Sequence, residues 1–152
     1  MAVRTWDRIR LAASLIGLAI AVYLTVLHYD AAIPLVCSTS GTVNCERVLS
    51  SPEASWQGIP VALWGVGWFV AAAALALLSL AQRGAPEPWW LRRAGLSWTM
   101  VGAAFVVWFL YTELVVIGNI CAWCTVVHAL IVGLFAIQVL TDAARAPSRQ
   151  GR

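Results

Sequence analysis

Four long apolar stretches constrain what this chain can fold into more than any other feature. They cover about residues 11–27, 59–81, 94–117 and 120–140. A helix needs about 20 apolar residues to cross a lipid bilayer, and a helix satisfies its own backbone hydrogen bonds there. The sequence therefore predicts a single domain over residues 1–152, an all-α membrane protein built as a four-transmembrane-helix bundle.

The composition agrees with a membrane protein and gives no sign of nucleic-acid binding. The chain is 61% hydrophobic and only 11% charged, whereas soluble domains carry about 25% charged residues. All ten basic residues are Arg, and they do not gather into a basic stripe with interleaved aromatic residues. We therefore expect membrane lipid, and not nucleic acid, as the surrounding partner.

The arginines predict how the chain is oriented in the membrane. Nine of the ten flank the apolar stretches in three groups, and an even number of crossings places all three groups on one side. By the positive-inside rule, that side is cytoplasmic. We expect a multi-pass protein of the inner (plasma) membrane with both termini cytoplasmic and a disordered tail over residues 142–152. The nine residues are Arg4, Arg8, Arg10, Arg83, Arg92, Arg93, Arg145, Arg149 and Arg152.

The segment 31–58 is then an extracytoplasmic loop. It is too short to bury a core of its own, so we expect it to lie over the bundle. Asn44 is a suitable cap for a short helix, Cys45–Leu49, and Pro52 would end that helix.

A C-x-x-C motif, Cys121-Ala122-Trp123-Cys124, opens the fourth apolar stretch. Two cysteines three positions apart share one face of a helix, and a helix start favours a thiolate. Gly118 would turn the chain just before the motif, and Asn119 would cap the helix. This pattern is typical of a redox-active dithiol.

Cys37 and Cys45 in the loop join this motif on the extracytoplasmic side, where disulfides persist. A bridge within C-x-x-C closes a tiny loop and contributes little to stability, which favours exchange chemistry. Two structural disulfides remain the alternative. A zinc site is the other, but the spacing of Cys37 and Cys45 is wider than zinc ligands usually show, so we expect no metal.

The chain carries, in this order, Cys37, Asn44-Cys45-Glu46-Arg47-Val48-Leu49-Ser50-Ser51, Gly58-Ile59-Pro60-Val61-Ala62, Tyr111-Thr112-Glu113-Leu114 and Ile120-Cys121-Ala122-Trp123-Cys124. Taken together, these motifs resemble the bacterial vitamin K epoxide reductase family. The resemblance runs from the first apolar stretch to the fourth.

The resemblance implies an electron relay. An extracytoplasmic thioredoxin-like (DsbA-type) protein, acting in trans, would reduce Cys37 and Cys45. Cys45 would exchange with Cys121, and Cys124 would reduce a membrane quinone, menaquinone or ubiquinone, in support of disulfide bond formation. The alternatives are reduction of vitamin K epoxide itself and a non-enzymatic membrane protein with structural disulfides.

Four further residues are candidates for the quinone site, each with a second interpretation. His128, one turn after Cys124, would donate a hydrogen bond to a quinone carbonyl or simply bond within the bundle. Glu113 would relay protons, although a solvated carboxylate at a helix end is the favoured interpretation. Ser51 would brace the loop helix or cap it. Trp64 would form part of a pocket wall or anchor the helix at the membrane interface.

Overall fold

The computed structural model describes residues 2–30, 33, 36–37, 41–82 and 87–145. Its elements are α1 (Ala2–Tyr29), α2 (Cys45–Leu49), a 3₁₀ turn (Pro52–Ala54), β1 (Ser55–Trp56), β2 (Ile59–Pro60), α3 (Val61–Ala81), α4 (Trp89–Tyr111), a π-helical turn (Thr112–Ile117) and α5 (Ala122–Arg145).

Four of these helical segments are long and apolar enough to cross a membrane. This confirms the prediction of an all-α, four-helix membrane bundle. The segments are Thr5–Tyr29, Val61–Ala81, Trp89–Ile117 and Ala122–Ala144. Large apolar side chains such as Val107 and Leu140 point outward and are exposed in the isolated chain, as expected where lipid replaces water around a bundle.

Three of the helices extend beyond the apolar stretches that predicted them, whereas α3 begins at Val61, two residues after the predicted start, because Ile59–Pro60 form a strand. The first begins at Ala2, and the last continues to Arg145, through the start of the predicted tail at 142. Its polar end packs against α4, because Asp142 pairs with Arg92 at 3.4 Å and accepts a hydrogen bond from Gln138 at 3.3 Å. The rest of the predicted tail, residues 146–152, lies outside the described residues.

Close packing of α1 on α3 forms the centre of the bundle. Ala21, Phe69 and Leu134 are its buried core, and the ring of Phe69 lies directly against the backbone of Gly17. Any side chain at position 17 would overlap this ring. A small residue at this contact lets the two helix backbones approach, as is common between membrane helices.

Two tryptophans join α3 to α4. The indole of Trp68 donates to the Trp98 carbonyl at 3.3 Å, and the indole of Trp98 donates to the Trp68 carbonyl at 3.1 Å. Their rings stack with centroids 6.3 Å apart. Because lipid offers no partner to an indole N–H, this reciprocal pair satisfies two donors inside the bundle.

One end of the bundle, which we call the polar end, buries an ion pair and polar side chains. Asp7 and Arg10 pair at 3.3 Å with almost no exposure. Arg10 and Gln138 both approach the backbone of Gly95, which brings α1, α5 and α4 together there. Pairing and mutual hydrogen bonding are the usual conditions for charge at such depth. Arg83, Arg149 and Arg152 lie outside the described residues.

The loop covers the opposite end, which we call the cysteine end. The short helix predicted at Cys45–Leu49 is confirmed, and the Asn44 side chain caps it by accepting a hydrogen bond from the Arg47 amide at 3.0 Å. Strands β1 and β2 form a two-stranded antiparallel hairpin, with Gln57 and Gly58 at positive φ in its turn. The loop is held on the bundle by backbone bonds at Ile120.

Candidate active site

A sharp reversal delivers the C-x-x-C motif to the cysteine end. Gly118 has a φ of 69°, a left-handed conformation that glycine adopts without strain, and the Asn119 amide bonds back to the Glu113 carbonyl at 3.0 Å. The turn predicted at Gly118 is therefore present.

The predicted cap of α5 is wrong. The Asn119 side chain bonds to the Ile117 carbonyl at 3.3 Å instead of to the helix. The sulfur of Cys121 takes the capping position and accepts the Cys124 amide N–H at 3.2 Å. The helix starts at Ala122, two residues later than a cap at Asn119 would require. Cys121 therefore lies directly before the first residue of the helix.

All four cysteines meet in one cluster. Cys37 and Cys45 form a disulfide, whereas Cys121 and Cys124 are free thiols. Cys45 and Cys121 are both fully buried in the same cluster with Val48, and Cys37, Cys124, Ile117 and Trp123 pack against it. An oxidised pair and a reduced pair thus lie side by side. Among the described residues, no group of three or more metal-ligating side chains is arranged to hold a metal ion.

Backbone pairing holds the two pairs together. The Ile120 amide donates to the Thr42 carbonyl at 2.9 Å, and the Asn44 amide donates to the Ile120 carbonyl at 3.0 Å. These bonds form a parallel bridge immediately before Cys45 in one segment and immediately before Cys121 in the other. The register places the two buried sulfur-bearing residues next to each other.

Glu113 is buried at the site, with 4% of its surface exposed. Its carboxylate accepts the Cys121 amide N–H at 3.3 Å and is also within hydrogen-bonding reach of the Cys124 thiol. The favoured interpretation from the sequence, a solvated carboxylate, is therefore wrong. The π-helical turn explains the difference, because its wider spacing turns Glu113 inward while Leu114 and Val115 face outward.

The neighbouring thiol changes the acidity of Cys121. A hydrogen bond from the Cys124 thiol lowers the pKa of the Cys121 thiol, against the opposing effect of burial. A thiol with a lowered pKa is a better leaving group in disulfide exchange. This is the chemical property that the central sulfur of a relay needs.

His128 lies one turn further into the bundle and is 8% exposed. Its ring stacks on Phe109 at 6.3 Å with the planes 5° apart. Its Nδ1 atom has no hydrogen-bond partner in the part of the chain that the structure describes. An unpaired polar atom at such depth is unfavourable unless something else bonds to it.

Ser51 and Trp64 have more modest positions. The Ser51 hydroxyl donates to the Val48 carbonyl at 2.8 Å and so braces the end of α2. Trp64 is half-exposed on α3 and packs against Trp56 at 5.6 Å.

Trp123 makes a long-range contact that the sequence does not predict. Its indole N–H donates to the Val36 carbonyl at 2.8 Å, and the Tyr23 ring packs edge-on against it at 5.5 Å. The two bonded residues are 87 positions apart, and no local pattern links them.

The fold and this site define a multi-pass membrane protein with a dithiol beside a disulfide. Residues 8–139 match the family model described as the vitamin K epoxide reductase family. The chain belongs to this family, as the resemblance in its motifs indicated. Membership makes it a membrane protein of redox function that works through cysteines, in a family that uses quinones.

Proposed function

We propose that this protein is a quinone-dependent thiol oxidoreductase that oxidises an extracytoplasmic thioredoxin-like protein acting in trans, and so supports disulfide bond formation. The observation that carries the proposal is the packing of the Cys37–Cys45 disulfide against the Cys121 and Cys124 thiols. Two pairs in opposite redox states, in contact, are what a two-electron relay requires. In this proposal the cysteine end faces the extracytoplasmic side.

Electrons enter at the loop. A thiolate of the reduced partner attacks Cys37, which is more exposed than Cys45, and the Cys45 thiolate leaves. The second partner thiolate then attacks its own sulfur in the mixed disulfide and releases Cys37 as a thiolate. The partner becomes a disulfide, and the loop pair gains two electrons.

Transfer to the C-x-x-C motif follows by the same chemistry. When Cys121 and Cys124 form a disulfide, the Cys45 thiolate attacks Cys121, and Cys124 leaves. The Cys37 thiolate then attacks Cys45, and Cys121 leaves with the ease that its lowered pKa provides. The loop disulfide is restored and the C-x-x-C pair is reduced, which is the arrangement seen in the structure.

The last step takes place at Cys124. The acceptor, a quinone such as menaquinone or ubiquinone, takes up two electrons and two protons. Two groups near Cys124 are suited to handle the protons: Glu113 beside its sulfur and His128, four residues further along the helix. The unpartnered Nδ1 of His128 fits a hydrogen bond to a quinone carbonyl. Cys121 and Cys124 lose two electrons and two protons and form a disulfide.

Two cysteine variants test this order of events. Detergent-purified protein is assayed for quinone reduction with reduced thioredoxin as the protein donor. Cys124→Ala should abolish turnover with every donor. Cys37→Ala should block electron entry from the protein donor and leave the Cys121 and Cys124 pair able to reduce quinone once when reduced chemically. Undiminished oxidation of the protein donor by Cys37→Ala would refute the two-pair relay.

A further inference from the structure

Trp123 sits between the two cysteines of the C-x-x-C motif, yet its indole reaches the other cysteine pair. The N–H donates to the carbonyl of Val36, the residue directly before Cys37, at 2.8 Å. The ring is half-buried, and the edge-on Tyr23 ring of α1 supports it at 5.5 Å. The C-x-x-C motif thereby holds the backbone of the segment that carries Cys37.

The two ends of the loop pair are held in different ways. Cys45 follows the two backbone bonds to Ile120 and lies in α2, so contacts that do not involve the disulfide also hold it. Cys37 lies eight residues after the end of α1, and Val36 beside it is 73% exposed. When the disulfide opens, the Trp123 bond limits how far this segment departs from Cys45.

We infer that Trp123 is a positioning residue of the loop pair, which holds Cys37 next to Cys45 in the reduced state through the Val36 carbonyl. We call the Trp123–Val36 hydrogen bond the clamp. Because closing the disulfide brings Val36 to Trp123 and so favours this bond, the bond must by reciprocity favour formation of the disulfide. It raises the effective concentration of Cys37 at Cys45, as a tether does. This inference rests on the proposed relay for its purpose, because the clamp would speed the attack of Cys37 that releases Cys121.

The size of the effect follows from the strength of one hydrogen bond. A single neutral hydrogen bond changes an equilibrium by about twofold to tenfold. Removing the donor should therefore lower the equilibrium constant for the Cys37–Cys45 disulfide by about that factor. For this two-electron couple, a fivefold decrease in that equilibrium constant raises the reduction potential of the Cys37–Cys45 disulfide by about 20 mV.

The test is a redox titration of the full chain in detergent, in dithiothreitol buffers of defined ratio. Acid quenching, differential alkylation and mass spectrometry then quantify the loop disulfide separately from the C-x-x-C pair. Trp123→Phe keeps a ring against Tyr23 and removes the donor. Trp123→Leu removes the same donor with a different shape, so that whichever variant folds gives the answer. Trp56→Phe is the matched control, because Trp56 lies on the same end and pairs with Trp64 instead of the loop cysteines.

We expect the Trp123 variants to lower the disulfide equilibrium constant by about twofold to tenfold and to accumulate the Cys45–Cys121 bridge, with Trp56→Phe unchanged. An unchanged constant in the Trp123 variants, or an equal loss in Trp56→Phe, would overturn the inference. The titration needs no quinone. If the wild-type protein failed to reduce quinone but the Trp123 variants still lowered the disulfide equilibrium constant, the proposed function would be refuted and the inference about Trp123 would stand.

Discussion

At the start of α5, one sulfur atom has both a structural and a chemical role. Cys121 caps the helix through the Cys124 amide and receives a hydrogen bond from the Cys124 thiol. The cap holds the Cys121 sulfur against the first turn of the helix, and the thiol bond makes the Cys121 thiolate easier to form. Helix geometry and acidity are therefore set by the same pair of residues, with Glu113 directly beside them.

Glu113→Gln tests whether that carboxylate moves protons. The amide keeps the size of the side chain and an oxygen that can accept the Cys121 amide N–H, but it cannot take a proton from Cys124. We expect the rate of quinone reduction to fall about a hundredfold, the lower range for loss of a general base, with the loop disulfide still present. The measurement is single-turnover quinone reduction by chemically reduced protein.

Glu46→Gln is the control for this variant, because Glu46 is an exposed carboxylate of α2 at the same end of the bundle. It should react at the wild-type rate. A Glu113→Gln rate within twofold of wild type would exclude proton transfer through this residue.

At the scale of the element, helix packing depends on where glycine lies and not on how many glycines a helix has. Gly17 faces the ring of Phe69 with no room for a methyl group, whereas nothing lies within 4 Å of the Cβ position of Gly67. Both are helical glycines in membrane-spanning segments. Substitution by alanine should therefore lower the stability of the bundle at position 17 but not at position 67.

Gly17→Ala should destabilise the bundle by about 1–3 kcal/mol, the usual cost of overpacking, because α1 and α3 must separate to accept the methyl group. Gly67→Ala should leave the free energy of unfolding unchanged or raise it by up to about 1 kcal/mol, since alanine favours a helix over glycine. Unfolding in mixed detergent micelles measures both. Equal stability of the two variants would contradict the close packing of Gly17 on Phe69.

The π-helical turn is the element that brings α4 to the site. Thr112 and Glu113 are buried in it, and Val115 and Val116 after them are exposed. Turns of this kind are often found at functional sites, because the extra residue per turn redirects a side chain. Here it turns a carboxylate toward two thiols.

At the scale of the whole molecule, the two ends of the bundle differ in chemistry. The polar end buries the Asp7–Arg10 ion pair, and the cysteine end buries sulfur under a loop. We propose that the cysteine end is extracytoplasmic and the polar end cytoplasmic. This assignment follows from the arginines and the positive-inside rule.

Accessibility to a membrane-impermeant maleimide tests this orientation. In a cysteine-free background, Glu53→Cys at the cysteine end should be labelled in intact cells. Arg93→Cys at the other end should be labelled only after the membrane is permeabilised. Both positions are exposed, so access depends on the side of the membrane. The reverse pattern would place the cysteines in the cytoplasm and would refute an extracytoplasmic partner.

The four helices, the loop across one end and the short capped helix at Cys45 could all be predicted from the amino-acid sequence. Each of these depends on local properties: the length of an apolar stretch, the side chain at a cap, a glycine at a reversal. The spacing of the cysteines also marked a dithiol, and the family motifs linked it to the loop pair.

The assembly of the site, in contrast, depends on contacts between segments that are far apart in the sequence. Glu113 turns inward because a π-helical turn replaces the α-helical register. Cys121 displaces Asn119 as the cap because Ile120 pairs with the loop backbone and the helix therefore begins only at Ala122. The Trp123 bond to Val36 joins residues far apart in sequence. The pattern of residues within one segment does not specify which residues the fold places opposite it. These contacts can therefore be identified only in the three-dimensional structure.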